Sequence, residues 1–168
     1  MCLDTSVLIK TLIEEKDTEA ALALLESVLL KQQIIALPPF AWAEAGSVLR
    51  KICGRNNLTA QEADDLWFEF RQYPGIIYLS DEIIADKAWK ISCSLNMPTL
   101  YDSSFLAVAE VITEITGEIC EYWTADKKLY DSVELESKKF SGKDVRYLAV
   151  VIPDVVVNKY VSNVELKY

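Results

Sequence analysis

Met1-Cys2-Leu3-Asp4-Thr5-Ser6-Val7-Leu8-Ile9-Lys10 is the stretch that decides how the rest of the chain is read. Met1 to Leu3 read as the end of a buried strand. Asp4 stands at the strand's carboxyl end, and Thr5-Ser6 start a helix. An apolar run, one acid, two hydroxyls and a second apolar run put a charge at the lip of a sheet, and ligands of open α/β sheets bind at that lip. A plainer role fits the same residues, with Asp4 simply capping the helix. The positions of the other acids separate the two readings.

Further along, Asp17 to Gln33 predict a helix, with Ala21, Leu24, Leu25 and Val28 at helical spacing. Ile34-Ile35-Ala36-Leu37 reads as a buried parallel strand, ended by Pro38-Pro39. The helix after it, Phe40 to Cys53, has an apolar stripe of Ala41, Ala45, Val48, Leu49 and Ile52. Glu44 falls on the flank of that stripe at 100° per residue, as do Lys51 and Arg55 further on. Glu44 is then either a rim glutamate paired with Lys51 or a carboxylate aimed at something.

Thr59-Ala60-Gln61-Glu62 matches a capping box and opens a helix buried through Ala63, Leu66, Trp67 and Phe70. With the preceding helix it forms a helical hairpin. Ile76 to Leu79 is the next strand, and a helix from Ser80 to about Leu95 buries Ile84, Ala88, Ile91 and Leu95. Trp89 lies off that stripe, as a contact residue would. Tyr101-Asp102-Ser103-Ser104-Phe105-Leu106-Ala107-Val108-Ala109 starts a helix that is apolar nearly all round and hence buried. Asp102 shares one side of it with Leu106 and Ala109. A carboxylate there must cap, pair or bind a cation, because burying it alone costs several kcal/mol. Ile119 to Trp123 is a strand, Thr124-Ala125-Asp126 follows at its carboxyl end, and a helix begins near Lys127. This repeats the logic of Asp4, and Asp126 too fits a cap. The span from Ser132 to Arg146 reads as charged loop, Tyr147 to Ile152 as a last strand, and Asp154 to Tyr168 as a strand or partner-pairing tail.

Strands alternating with helices predict a three-layer α/β/α fold around a central, mostly parallel sheet, with the helical hairpin as an insertion. The organisation expected is one domain over 1–152 and a C-terminal extension over 153–168. The 168 residues are 51% hydrophobic, enough for one well-filled core. No apolar run approaches the roughly 20 residues that span a bilayer, and no charged–apolar–small leader opens the sequence. A soluble, cytoplasmic protein without membrane contact is expected.

The chain has no histidine, and its four cysteines form no CxxC pair. Zinc held by thiolate and imidazole is excluded on that basis, as are Ser-His-Asp and Cys-His mechanisms. Chemistry must rest on carboxylates, hydroxyls, lysines or a metal. Asp4, Glu44, Asp102 and Asp126 converge on one edge of the predicted sheet. An all-oxygen ligand set of this kind suits Mg²⁺ or Mn²⁺, ions that clamp a phosphate and acidify a water for in-line attack. The net charge of −9 would ordinarily argue against nucleic acid; bound cations reverse that locally. Thr5, Ser6 and Thr124 are placed to orient water or phosphate, and Lys10, Lys51, Arg55 and Lys127, with Lys128, are the basic residues near this edge available to a phosphodiester.

Leu3-Asp4-Thr5-Ser6-Val7-Leu8-Ile9, then Glu44 after Pro38-Pro39, then Tyr101-Asp102 before Phe105-Leu106-Ala107-Val108-Ala109, then Thr124-Ala125-Asp126-Lys127-Lys128-Leu129, resemble the PIN domain, most of all the small VapC-type toxins of toxin–antitoxin modules. The resemblance spans about residues 2 to 131, in the family's order and spacing. It implies a metal-dependent endoribonuclease with Asp4, Glu44, Asp102 and Asp126 as metal ligands. It also implies a homodimer and, for a toxin, a VapB-like antitoxin whose tail blocks the site. The first strand is shorter and the tail after Ile152 longer than in a minimal member.

A catalytically weak PIN-like scaffold that binds RNA or a protein partner is the alternative. A phospho-accepting receiver domain would need paired acids after the first strand and a lysine after the last. A haloacid-dehalogenase-like phosphatase would need an Asp where Ser6 stands.

Overall fold

The computed structural model describes residues 1–15, 17–55, 58–139 and 150–151, and for 134–139 and 150–151 the backbone alone. In chain order the elements are β1 (Cys2–Leu3), α1 (Thr5–Lys10), α2 (Thr18–Leu30), β2 (Ile35–Leu37), α3 (Ala41–Gly54), α4 (Ala60–Arg71), β3 (Ile76–Tyr78), α5 (Glu82–Ser94), α6 (Leu100–Thr116), β4 (Tyr122–Trp123), α7 (Lys127–Lys139) and β5 (Val150–Val151). The fold is α/β, rich in helix, with short parallel strands.

Parallel ladders join β1 to β4 and β4 to β5, with Cys2 opposite Tyr122 and Leu3 opposite Trp123. A second parallel ladder joins β2 to β3. Met1 stitches the two sheets together: its amino group donates to the Ile34 carbonyl at 2.9 Å, and its carbonyl accepts from the Ala36 N–H at 2.9 Å. One residue bonded to the carbonyl before and the N–H after its neighbour is the parallel pattern. The strand order is therefore β3-β2-β1-β4-β5. It reverses between β1 and β4, because the chain builds outward from β1 to β3 and then crosses back to lay β4 on the other side of β1.

The core follows the predicted faces. Leu3, Ile35, Leu37 and Tyr122 are fully buried in the strands, and Phe105, Leu106, Ala107 and Val108 fill the centre from α6. So many consecutive buried residues make α6 the hub, packed on α5 and against β1, β2 and β4. Across α5 and α6, Lys87 Nζ donates to Glu110 and Glu114 at 2.7 Å each. The α3–α4 hairpin closes where Trp67 lies against Gly46; a Cβ there would come within 3.2 Å of the indole ring. The capping box at Thr59 and Glu62 is formed in full.

Several boundaries differ from expectation. The helix from Asp17 stops at Leu30 rather than Gln33, and Ile34 falls outside β2 and is exposed. The last strand before α7 is only Tyr122–Trp123, with Ile119 exposed before it. The helix α3 runs through Gly54, so Arg55 becomes its C-cap. The charged stretch from Ser132 is not loop at its start, since α7 continues to Lys139. Leu129 and Val133, four residues apart and both buried, anchor one face of it, while Lys127, Lys128 and Asp131 are exposed. Of the predicted last strand only Val150–Val151 is described. The boundary at 152, the extension 153–168 and the link Asn56-Asn57 lie outside the described residues. Among the described residues no helix is long and apolar enough to cross a membrane.

Candidate active site

Where the strand order reverses, an α/β sheet leaves a crevice at the strands' carboxyl ends. Asp4 follows β1 directly, and Thr124 to Asp126 follow β4 directly, so the two strands that flank the reversal each deliver an acid to it. Both acids are caps as well. Asp4 Oδ1 accepts from the Ser6 N–H at 2.7 Å, and Asp126 Oδ1 accepts from the N–H groups of Lys128 at 2.8 Å and Leu129 at 3.2 Å. For these two residues, capping and placement at the sheet lip coexist. Asp4 is buried, whereas Asp126 is exposed.

Glu44 reaches the crevice from the first turn of α3. Its carboxylate is half-buried and accepts a hydrogen bond from Thr5 Oγ1 at 2.7 Å. Thr5, not Lys51, is thus its partner. Burial raises the Glu44 pKa, the Thr5 bond partly offsets this, and the negative charges of Asp4 and Asp102 raise it further, while the Lys51 charge lowers it. Asp102 lies in the first turn of α6 and does not act as its N-cap; that position is Thr99. Its half-buried carboxylate has no hydrogen-bond partner among the described residues. Burial raises its pKa first, and then Asp4 and Asp126 do. The four acids therefore sense one another around one crevice: Glu44 feels Asp4 and Asp102, and Asp102 feels Asp4 and Asp126. Among the described residues, however, no three carboxylates or thiols stand close enough to hold an ion as they are arranged.

The hydroxyls expected to orient water are engaged with the protein. Thr5 holds Glu44, Ser6 Oγ accepts from the Ala125 N–H at 3.0 Å, and buried Thr124 Oγ1 accepts from the Asp126 N–H at 3.0 Å. The Ser6 bond fixes the acid-bearing loop after β4 to the start of α1, while Thr5 ties α1 to α3 and Thr124 braces the β4 loop internally. Of the basic residues, Lys10 pairs with Glu15 at 3.7 Å and Lys127 with Asp131 at 3.0 Å. Lys51 and Arg55 are exposed at the far end of α3.

Tyr122 is a site residue that the motifs did not single out. It is fully buried in β4, and its hydroxyl donates to Asp4 Oδ2 at 2.6 Å. Burial and the Asp4 charge push the phenol well above its ordinary pKa, so it stays a donor. The signal was present in the sequence: a tyrosine in a strand read as buried has to find a partner for its hydroxyl.

The available donors are oxygens. Burial pushes the Cys2 and Cys120 thiols up, which keeps them protonated and poor as ligands. An oxygen-only set of mutually repelling carboxylates, two of them half-buried, fits a hard divalent cation. Mg²⁺ in particular keeps several waters and takes one or two carboxylates with substrate phosphate rather than a full protein cage. The family model of the PIN domain matches residues 1–131. No curated protein matches the chain.

Proposed function

The chain belongs to the PIN-domain family, whose members are in general metal-dependent nucleases acting on RNA, and from that premise we propose that it is a Mg²⁺- or Mn²⁺-dependent endoribonuclease. Asp4, Glu44, Asp102 and Asp126 would hold the cation. When bound, such a cation activates a water and stabilises charge on the phosphodiester under attack. The observation that carries this reading is the half-buried pair Glu44 and Asp102, each made more basic by burial and by other acids at the point where the strand order reverses.

The protein's own part is arrangement. Tyr122 and the Ser6 N–H hold the two oxygens of Asp4, and Thr5 holds Glu44. Ser6 ties the loop carrying Asp126 to the start of α1, and Thr124 braces that loop from within. Asp102, half-buried and without a hydrogen-bond partner among the described residues, leaves both carboxylate oxygens for an incoming cation. Lys51 and Arg55 supply positive charge along the flank of α3 for the phosphate backbone. The finer architecture belongs to the same reading: helices on both faces of the sheet in three layers, the α3–α4 hairpin as an insertion, and residues 153–168 as an extension.

We read the protein as the toxin of a VapC-type toxin–antitoxin pair, acting in the cytoplasm as a homodimer and restrained by a VapB-like antitoxin. Large apolar side chains left exposed on α5 and α6, Trp89 at 62% and Ile115 at 77%, support a protein-contacting surface. A second reading, a catalytically weak PIN scaffold, draws on the two acids already used as caps and on the absence of a three-acid cluster among the described residues. Incubating the full chain with single-stranded RNA, with Mg²⁺, with Mn²⁺ or with a chelator, beside Asp4→Asn, separates them. Internal cleavage that needs the metal and Asp4 supports the nuclease; binding with no cleavage under any of these conditions supports the scaffold.

A further inference from the structure

Tyr101 precedes Asp102 at the start of α6, and it is 58% exposed. Its ring is nonetheless held in place. It meets Phe40 edge-on, with centroids 5.2 Å apart and planes at 85°. Phe40 meets buried Phe105 in the same way at 6.0 Å and 88°, and Phe105 leans on Tyr122 at 6.4 Å. The row of rings thus runs from the protein surface to the tyrosine that holds Asp4. Phe40 caps α3, the helix that carries Glu44 in its first turn. The Phe40–Tyr101 contact accordingly brings together the starts of the two helices that present Glu44 and Asp102.

A perpendicular contact uses the face of one ring and the edge of the other. Whichever ring offers its edge, Phe40 leaves at least one face of Tyr101 uncovered. An aromatic ring fixed by packing but open on a face is what an unstacked nucleobase needs. The charge of the chain points the same way. At a net charge of −9, with Lys10 and Lys127 already facing acids, phosphate contacts alone are a weak source of affinity for RNA. Stacking does not depend on positive charge.

Resting on the ribonuclease reading above, we propose that Tyr101 is a base-stacking residue that seats one nucleobase of single-stranded RNA beside the acidic crevice. The stacked base would fix the register of the strand, and the phosphodiester next to it would lie over Asp102 and Glu44. Discrimination among bases would be weak, because every base offers a π-face.

The test compares Tyr101→Ala, Tyr101→Phe and Tyr101→Trp in the full chain. Each is assayed for Mn²⁺-dependent cleavage of a short single-stranded RNA and, in an Asp102→Asn background, for binding of the same RNA. Circular dichroism checks that each folds. Tyr101→Ala is expected to weaken binding by roughly 5- to 150-fold, the loss that accompanies removal of one stacking partner. KM should rise by a similar factor with little change in kcat. Tyr101→Phe and Tyr101→Trp should bind within about twofold of the parent. An RNA with one abasic position at the seat should bind the parent as weakly as intact RNA binds Tyr101→Ala, and the two losses should not add. Wild-type cleavage with unchanged affinity in Tyr101→Ala would overturn the stacking role and leave the nuclease standing. Unchanged RNA affinity together with a loss of self-association in sedimentation would assign the ring to a protein contact instead. Failure of the wild type to bind or cleave RNA would remove both proposals.

Discussion

The Tyr122 hydroxyl donates to Asp4 Oδ2 at 2.6 Å, across 118 residues of sequence and between adjacent strands. It occupies one oxygen of the buried carboxylate while the Ser6 N–H occupies the other. The bond ties the core of the sheet to its lip. Tyr122→Phe keeps the ring against Phe105 but leaves Asp4 short of a donor. Hydrogen bonds to charged groups contribute about 1.5–3 kcal/mol, so urea denaturation should show a loss of that order. Outer partners that orient ligands typically change metal affinity by about 10–100-fold, and calorimetric titration with Mn²⁺ should record a weakening in that range.

Asp102 is penalised for being charged, first by its burial and then by Asp4 and Asp126. Asp102→Asn should therefore raise the melting temperature of the metal-free protein while abolishing metal-dependent cleavage. A fall in melting temperature would point to a stabilising role for the charge at the first turn of α6, an effect worth about 0.3–1 kcal/mol near a helix N-terminus.

The pKa values of Glu44 and Asp102 both lie above those of the unfolded chain, in each case chiefly through burial. The folded state binds protons more tightly at these two positions. Their favourable contribution is present in full below the unfolded values, near pH 4, and is lost as the pH rises through the higher folded values. Subtracting the stability profile of the Glu44→Gln/Asp102→Asn double variant isolates these groups from the other acids. The difference should turn against the wild type as pH rises from about 4 towards neutrality in chelator. Millimolar Mg²⁺ or Mn²⁺ should recover the loss in wild type and not in the double variant, because a cation reverses the local cost of the charges.

Lys51 and Arg55 extend the flank of α3 beyond Glu44, and the Lys51 charge is felt at that carboxylate. If both meet phosphate, Lys51→Ala and Arg55→Ala should each weaken RNA binding and reduce the slope of log affinity against log salt by about 0.7, the value for one contact on a single strand. The slope can be read from fluorescence anisotropy over a series of salt concentrations. Unchanged slopes would place the RNA elsewhere.

The strand–acid–helix units at Asp4 and Asp126 were legible because their signals are local. An apolar run, a capping side chain and helical spacing all act within a few residues, and Thr59 with Glu62 formed the expected box for the same reason. Boundaries set by packing were less legible. The charged stretch after Ser132 gave no sign that Leu129 and Val133 would bury one face of a helix running on to Lys139. The hydroxyls of Thr5, Ser6 and Thr124 could be placed near the lip, but the partners of Thr5 and Ser6, Glu44 and the Ala125 N–H, lie on other elements, whereas Thr124 bonds the Asp126 N–H within its own loop.

The kinds of donor in the crevice are a property of the amino-acid sequence alone. A chain without histidine or a CxxC pair, with acids after its first and fourth strands and at the starts of α3 and α6, brings carboxylate oxygens to that edge, and side-chain chemistry needs no fold to be known. The pairing of donors was decided by the tertiary structure. Strand order puts β4 beside β1, and the register sets Tyr122 opposite Cys2. That neighbourhood gives Asp4 its buried hydrogen bond. Such bonds depend on which distant backbones share a ladder, and that is settled by the packing of the whole core.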